Sequence, residues 1–220
     1  MKKLYLFLFT LIHITLNAQD TITIKHNNYK TTYSKSLNYP IVVEWWETTE
    51  KSSCKDKVVR SNDFKPDPNL KNYTDIGKYY IQINKFQKIK GLKTFDRGHI
   101  CPARVNLCLG KIVETESFYY SNITPQYHAL NGGDWKILET FTYETSIKKD
   151  SVHIWAGSIG VSIKFLKISV PKQCWKVIHI KKTNEWSAYL FNNDTSKSNG
   201  IKDNKVNVEF IEKLTGLKFK

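Results

Sequence analysis

Apolar and polar positions divide this chain into strand-like and helix-like runs. TITIKH (21–26) and PIVVEWWET (40–48) are rich in β-branched and aromatic residues and read as strands. SVHIWAGSIGV (151–161) reads as a strand that runs into a glycine turn. CWKVIHI (174–180) and WSAYLFN (186–192) flank KKTNE, which predicts a hairpin. Two segments carry the helical period. In DWKILETFTYETSIKK (134–149), Trp135, Leu138 and Phe141 recur at helical spacing. In VEFIEKLTGLKF (208–219), Phe210, Ile211 and Leu214 do so, with Gly216 placed to cap the helix. RSNDFKPDPNL (60–70) holds two prolines and several turn formers and reads as loop. With no internal repeat and no long linker, the pattern predicts an α+β single domain. Its centre is a mainly antiparallel β-sheet flanked by helices.

The first 18 residues stand apart. Lys2 and Lys3 precede a mostly apolar run, Leu4 to Leu16, and Ala18 is a suitable last residue before cleavage. The run is short for a transmembrane helix. It reads as a signal peptide over 1–18, with a mature domain over 19–220 that is secreted or periplasmic and has no stable membrane association. Removing Lys2 and Lys3 from 34 basic residues leaves 32 against 20 acidic ones, a formal charge of +12. Such a surface attracts polyanions, nucleic acid among them. Cys54, Cys101, Cys108 and Cys174 form an even set, which in an exported chain predicts disulfides. Cys101 and Cys108 are close enough to staple one loop, which leaves Cys54–Cys174 as the second bridge. Zinc-ligand spacing is absent.

Chemistry concentrates in three segments. TFDRGHICPA (94–103) packs an acid, a guanidinium, a glycine and an imidazole into Asp96, Arg97, Gly98 and His99. Gly98 lets backbone or substrate come close. Asp96 is placed to orient an imidazole or to pair with Arg97. His99 is open to three readings at this point: a ligand beside a thiol, a satisfied core histidine, or a proton acceptor near neutral pH. The second segment, SNITPQYHALNGGDWKILE (121–139), holds Asn122, Asn131 and Glu139 around a helix start. Asn131 reads as a helix N-cap or as a hard oxygen ligand for magnesium. In an undistorted helix Glu139 lies about 12 Å along the axis from Asn131 and about 80° around it. An ion held by Asn131 then meets Glu139 through water. Arg60, in its loop, is the third.

DRGH followed by NITPQ, LN, W and LE resembles the DNA/RNA non-specific endonuclease family, the ββα-metal or His-Me finger nucleases. RSNDFKPDP, WAGSIG, VPKQCWKVI and VEFIEKLTGLKF resemble further segments of that family, so the likeness extends from about Tyr39 onward. The resemblance implies a ββα-metal finger active site and a secreted, metal-dependent endonuclease that cleaves DNA and RNA with little sequence preference and leaves 5′-phosphates. It implies His99 as general base, Asn131 as the direct ligand of a hydrated Mg²⁺, and Glu139 as a holder of its water. It further implies Asn122 as a positioning group, Arg60 as the cation that stabilises charge on the phosphate, Arg97 as a further phosphate contact, and Asp96, Gly98 and Trp135 as structural support. Oxygen ligands also suit Mn²⁺ or Ca²⁺.

One position departs from the family pattern: Val105 stands near the place where many relatives carry Asp. His128 reads as a loop residue, and His153 and His179, in strand-like runs, as structural. Trp45 and Trp46 must face opposite sides of a strand; one belongs in the core, and the other packs at the surface or stacks on a base. The alternative functions are a non-catalytic polyanion-binding protein on the same scaffold and a phosphodiesterase acting on small nucleotides.

Overall fold

In the computed structural model the described residues are 20–70, 75–149, 151–196 and 200–220. The segment read as a signal peptide lies outside them. Among the described residues no helix is long and apolar enough to cross a membrane. The strands are β1 (Thr21–Lys25), β2 (Tyr29–Ser34), β3 (Tyr39–Thr48), β4 (Phe95–His99), β5 (Ile123–Tyr127), β6 (Ser151–Ile159), β7 (Ile163–Phe165), β8 (Ile168–Val170), β9 (Gln173–Ile180), β10 (Glu185–Asn192) and β11 (Lys205–Val206). The helices are α1 (Thr49–Ser52), α2 (Gly77–Ile89), α3 (Lys111–Glu116), α4 (Trp135–Lys149) and α5 (Val208–Thr215). A seven-stranded sheet runs in the order β1-β2-β3-β6-β9-β10-β11, and its pairs are antiparallel. The predicted hairpin is β9–β10, with Trp186 opposite His179. The expected α+β domain is therefore what forms.

Strand alternation assigns the two faces of this sheet. Val43, Trp45 and Glu47 on β3 share a face with Val152, Ile154 and Ala156 on β6 and with Cys174, Lys176 and Ile178 on β9. That face packs under α4 through Trp135 and Leu138, both fully buried. The opposite face carries Trp175, Val177 and Ala188, covered by Val208 and Ile211 of α5. A row of rings crosses this second face, with Trp46 stacked on His153 at 3.9 Å and His179 on Trp186 at 4.1 Å. Both histidines are thus structural, and Trp46 packs at the surface while Trp45 enters the core.

Helix α4 departs from its predicted stripe. Phe141 is 40% exposed, and Thr142 and Ser146 are buried instead. The reason is polar: the Thr142 hydroxyl donates to Glu47 Oε1 at 3.3 Å, and the Ser146 and Ser52 hydroxyls lie 3.0 Å apart. In α5 only Val208 and Ile211 seat fully, with Gly216 closing the helix in the left-handed region at φ 73°. A second core joins α2 to β4, β5 and β8 through Ile76, Tyr80, Ile83, Phe95, Ile123 and Val170.

Both predicted disulfides are wrong. The bridge is Cys54–Cys108, with Cα atoms 5.7 Å apart, and Cys101 and Cys174 are free, buried thiols. Proximity in sequence misled because Cys101 belongs to the main core under α4 and Cys174 points inward from β9. Cys108 lies instead beside the 54–58 segment, where Val58 N–H donates to the Leu107 carbonyl at 3.0 Å. The bridge spans 54 residues, a loop long enough to stabilise the fold by about 4 kcal/mol on loop-closure entropy. Peptide mapping without reduction should find Cys54 joined to Cys108, with the other two thiols alkylated only after unfolding. Any bridge to Cys101 or Cys174 in the native protein would contradict this.

Candidate active site

The antiparallel pair β4–β5 carries the Asp96–His99 motif and lies against the start of α4. Alternation along β4 places Phe95, Arg97 and His99 on one face. Gly98 pairs with Thr124 across the hairpin. A Cβ at Gly98 would collide with the amide of Gln126, so the glycine is required by close packing between the two strands.

His99 ends the strand, buried, with its ring edge-on to Phe118 at 4.9 Å and tilted against Phe64 at 5.4 Å. Its backbone carbonyl accepts from the Trp135 indole N–H at 3.1 Å, which ties β4 to the first turn of α4. Its Nε2 has no hydrogen-bond partner among the described residues. Burial, with a smaller push from the Arg60 guanidinium, lowers the imidazole pKa from 6.5 to about 3. The ring is therefore neutral at pH 7. Arg60 reaches the same pocket from the loop before α2, with its guanidinium 5.5 Å from the Phe118 ring centre. Two anchors fix that loop. The Ser61 N–H donates to the buried carboxylate of Glu114 at 2.6 Å, and Lys65 bridges Tyr119.

Asp96 orients an imidazole, but that of His128 and not of His99. His128 Nδ1 and Asn131 Nδ2 both lie against Asp96 Oδ2, at 2.8 and 2.9 Å. No hydrogen bond joins Asp96 to Arg97 among those described. His128 opens the helical turn after β5, and its side chain is 82% exposed. Asn131 is not an N-cap of α4. It sits in a π-type turn, Leu130–Asp134, broken by Gly133 at φ −99° and ψ −119°. The helical separation expected between Asn131 and Glu139 therefore does not apply, since no undistorted helix connects them. With Asn131 Nδ2 donated to Asp96, its Oδ1 is the atom left for a ligand.

Glu139 is half-buried in α4. Burial pushes its carboxyl up to about 7, against the pull of the Lys176 ammonium, the Trp135 indole and Arg60. Asn122 is fully committed to backbone: its Oδ1 accepts from Cys101 N–H at 2.8 Å, and its Nδ2 donates to the Cys101 and Ser117 carbonyls at 2.9 Å. It therefore shapes the turn that follows His99. Val105 is buried in the main core beside Ile100 and Cys101, so an apolar side chain anchors this loop. Arg97 lies apart from Arg60, with its guanidinium 5.1 Å from the Phe64 ring centre and 5.8 Å from that of Tyr80.

Two charged residues beneath the site escaped the sequence reading. Glu47 and Lys176 are fully buried on the inner faces of β3 and β9. Lys176 Nζ lies 4.1 Å from the Trp135 ring centre and 5.7 Å from that of Trp45. Glu47 Oε1 accepts from the Trp45 indole N–H at 3.0 Å. Their signal was charge inside strand-like runs: two glutamates, Glu44 and Glu47, in VVEWWET and the one lysine in CWKVIHI. Phe64 and Phe118, the walls of the His99 pocket, gave no signal of their own.

The pattern of DNA/RNA non-specific endonucleases matches residues 10–220. A nuclease of Serratia marcescens is 35% identical over 134 residues, which cover 56% of this chain and 49% of that protein. The mitochondrial nuclease EXOG of Mus musculus is 25% identical over 90% of this chain and 57% of its own length. A nuclease of Nostoc sp. is 26% identical over 91% of this chain and 73% of its own length. The chain thus spans about half the length of the Serratia and mouse proteins. EndoG, solved in the EndoG/EndoGI complex, shares the fold with a TM-score of 0.75 at 24% identity, over 90% of this chain and 84% of that one. The chain belongs to the DNA/RNA non-specific endonuclease family.

Proposed function

We propose that this chain is a divalent-metal-dependent endonuclease that hydrolyses phosphodiester bonds of DNA and RNA with little sequence preference. The observation that carries this reading is the neutral, buried His99, whose Nε2 has no partner among the described residues, set beside the Arg60 guanidinium.

The residues present suit a hydrated hard cation. Among the described residues no cluster of three or more His, Cys, Asp and Glu could hold an ion. What the site offers is one amide oxygen, Asn131 Oδ1, and one half-buried carboxylate, Glu139. Magnesium keeps several waters and binds through few protein oxygens. Asn131 would hold it directly and Glu139 through water, and Mn²⁺ or Ca²⁺ suit the same donors. When bound, the ion polarises the phosphoryl oxygen and stabilises the departing 3′-oxygen.

The protein's own groups do the rest. His99 Nε2 takes the proton of the attacking water, which a neutral imidazole can do. Trp135 holds the His99 backbone, and the turn fixed by Asn122 holds the chain after it. Arg60, exposed at the rim of the pocket walled by Phe64 and Phe118, offsets charge that develops on the phosphate. Asp96 turns the Asn131 amide so that its oxygen is free. Products carry 5′-phosphates. None of these groups reads a base, which fits recognition through sugar and phosphate. The excess of lysine supplies salt-sensitive affinity for the polyanion.

Residues 1–18 act in this reading as a cleaved leader and 19–220 as the exported enzyme, in keeping with the Cys54–Cys108 bridge. The test is degradation of plasmid DNA and of RNA by purified protein, with and without EDTA. Metal-dependent loss of both substrates is expected. Salt-sensitive binding without turnover would instead make the chain a polyanion-binding protein, and cleavage of dinucleotides but not long duplexes would make it a small-nucleotide phosphodiesterase.

A further inference from the structure

Beside the His99 pocket lies a groove of about 340 Å³ that shares Phe64 and Asp96 with the proposed site and is otherwise unused by its chemistry. Phe64, Tyr80, Ile81, Asn84, Phe95, Asp96 and Arg97 line it. Phe64 is the shared wall, with one ring contact to His99 at 5.4 Å and another to the Arg97 guanidinium at 5.1 Å. Arg97 and His99 sit on the same face of β4, roughly 7 Å apart along the strand by the rise of a β-strand. That is the scale of one nucleotide step along an extended strand.

The groove is built. Arg97 is held against two aromatic rings, and its Nε is buried without a hydrogen-bond partner among the described residues. The Asn84 amide is spent on the backbone of Phe95, donating to its carbonyl at 2.9 Å and accepting from its N–H at 2.8 Å, which locks α2 to β4. Ile81 is 65% exposed on the α2 side of the groove. Lys78, Lys85 and Lys88 recur with Ile81 at intervals of three and four, so they share its helix face, and all three are exposed. The groove therefore offers apolar walls, a held guanidinium and a cationic ridge alongside.

We propose that this groove receives the sugar and base of the nucleotide flanking the scissile phosphodiester, in a single-stranded stretch whose backbone then follows the lysine face of α2. A base inside a duplex is stacked and paired and cannot enter such a pocket, whereas an unstacked base can lie against aromatic and guanidinium surfaces. The assignment rests on reading His99 as the centre of a phosphodiesterase.

The test pairs a change in the substrate with a change in the protein. Single-stranded oligonucleotides carry one cleavable linkage, with an abasic residue placed on its 5′ or its 3′ side. For the wild type, the abasic residue on the groove side should lower kcat/KM by about 5- to 100-fold, the range of one lost base stack. The surface variant Ile81→Ala, and separately Phe64→Ala, should reduce that penalty to about 3-fold or less. The same comparison on affinity in EDTA, with the uncleaved oligonucleotides, remains readable if no cleavage occurs. An abasic penalty below about 2-fold on both sides, or one equal in wild type and Ile81→Ala, overturns the groove assignment. Failure of the wild type to cleave any linkage overturns the proposed reaction instead, and the affinity comparison then decides the groove alone.

Discussion

Replacing His99 with alanine should lower cleavage of plasmid DNA by at least about 10²-fold, the low end for loss of a general base. The loss should fall on kcat more than on KM, because the imidazole touches the attacking water and contributes little to holding a polyanion. Folding should survive. The tie between β4 and α4 uses the His99 carbonyl, which alanine retains, and the thermal transition checks this. The ring's ionisation gives a second readout. His99 has a folded pKa depressed from 6.5 to about 3, so it should keep its neutral NMR signature as pH falls through 6. A histidine held neutral in the fold and protonated in the unfolded chain supports the native state above pH 6.5 and withdraws that support as pH falls toward 3. An H99A protein with wild-type turnover would remove His99 from the chemistry, whereas a His99 resonance titrating near 6.5 would show that the ring is solvated and not buried as described.

The largest effect on stability is expected at Lys176. Its ammonium has no hydrogen bond among the described residues, rests on the Trp135 ring, and lies in the field of Glu47 and Glu139. Lys176→Met keeps the volume and removes the charge. Glu47 is then left in the core without its cation, and breaking such buried couples costs about 3 kcal/mol or more. In a chain of this size that corresponds to a melting point lower by roughly 6–12 °C. Burial already pushes Glu47 from 4.5 up to about 7. A carboxyl with a raised pKa favours the fold most below 4.5 and loses that contribution as pH rises through 7. The defect in Lys176→Met should therefore deepen from pH 5 to pH 8. Adding Glu47→Gln should recover part of it, since the two losses are not independent. A single variant as stable as wild type at pH 8 would show that the couple does no net stabilising.

Segments with a strong local pattern of residue types were legible as elements, though not always in the face they bury. β3 and the β9–β10 hairpin could be read from their residues, as could α4 and α5, and the order of His99, Asn131 and Glu139 carried the family. Helix α2 was not legible. Its buried positions are sparse, Tyr80, Ile83 and Gln87, and exposed Ile81, Phe86 and Ile89 blur the stripe. β9 is buried on both faces, so alternation does not reveal which way Lys176 points. The disulfide was misread because pairing depends on which loops meet in space, and nothing local to Cys108 names Cys54. Asn131 was legible as a ligand type but not in its geometry, because its turn breaks at Gly133 and its amide is held by Asp96, a partner far away in the sequence.

The two free thiols have a consequence for making this protein. Cys101 and Cys174 are sealed in the core, and burial raises both, Cys174 to about 11. Once folded, neither offers a thiolate, so the single bridge cannot be shuffled by its own chain. Before folding, all four sulfurs are equivalent, and an oxidant that arrives early meets more wrong partners than right ones. Collapse must come first and oxidation second, and a refolding yield that falls as the oxidant is added earlier would display that order.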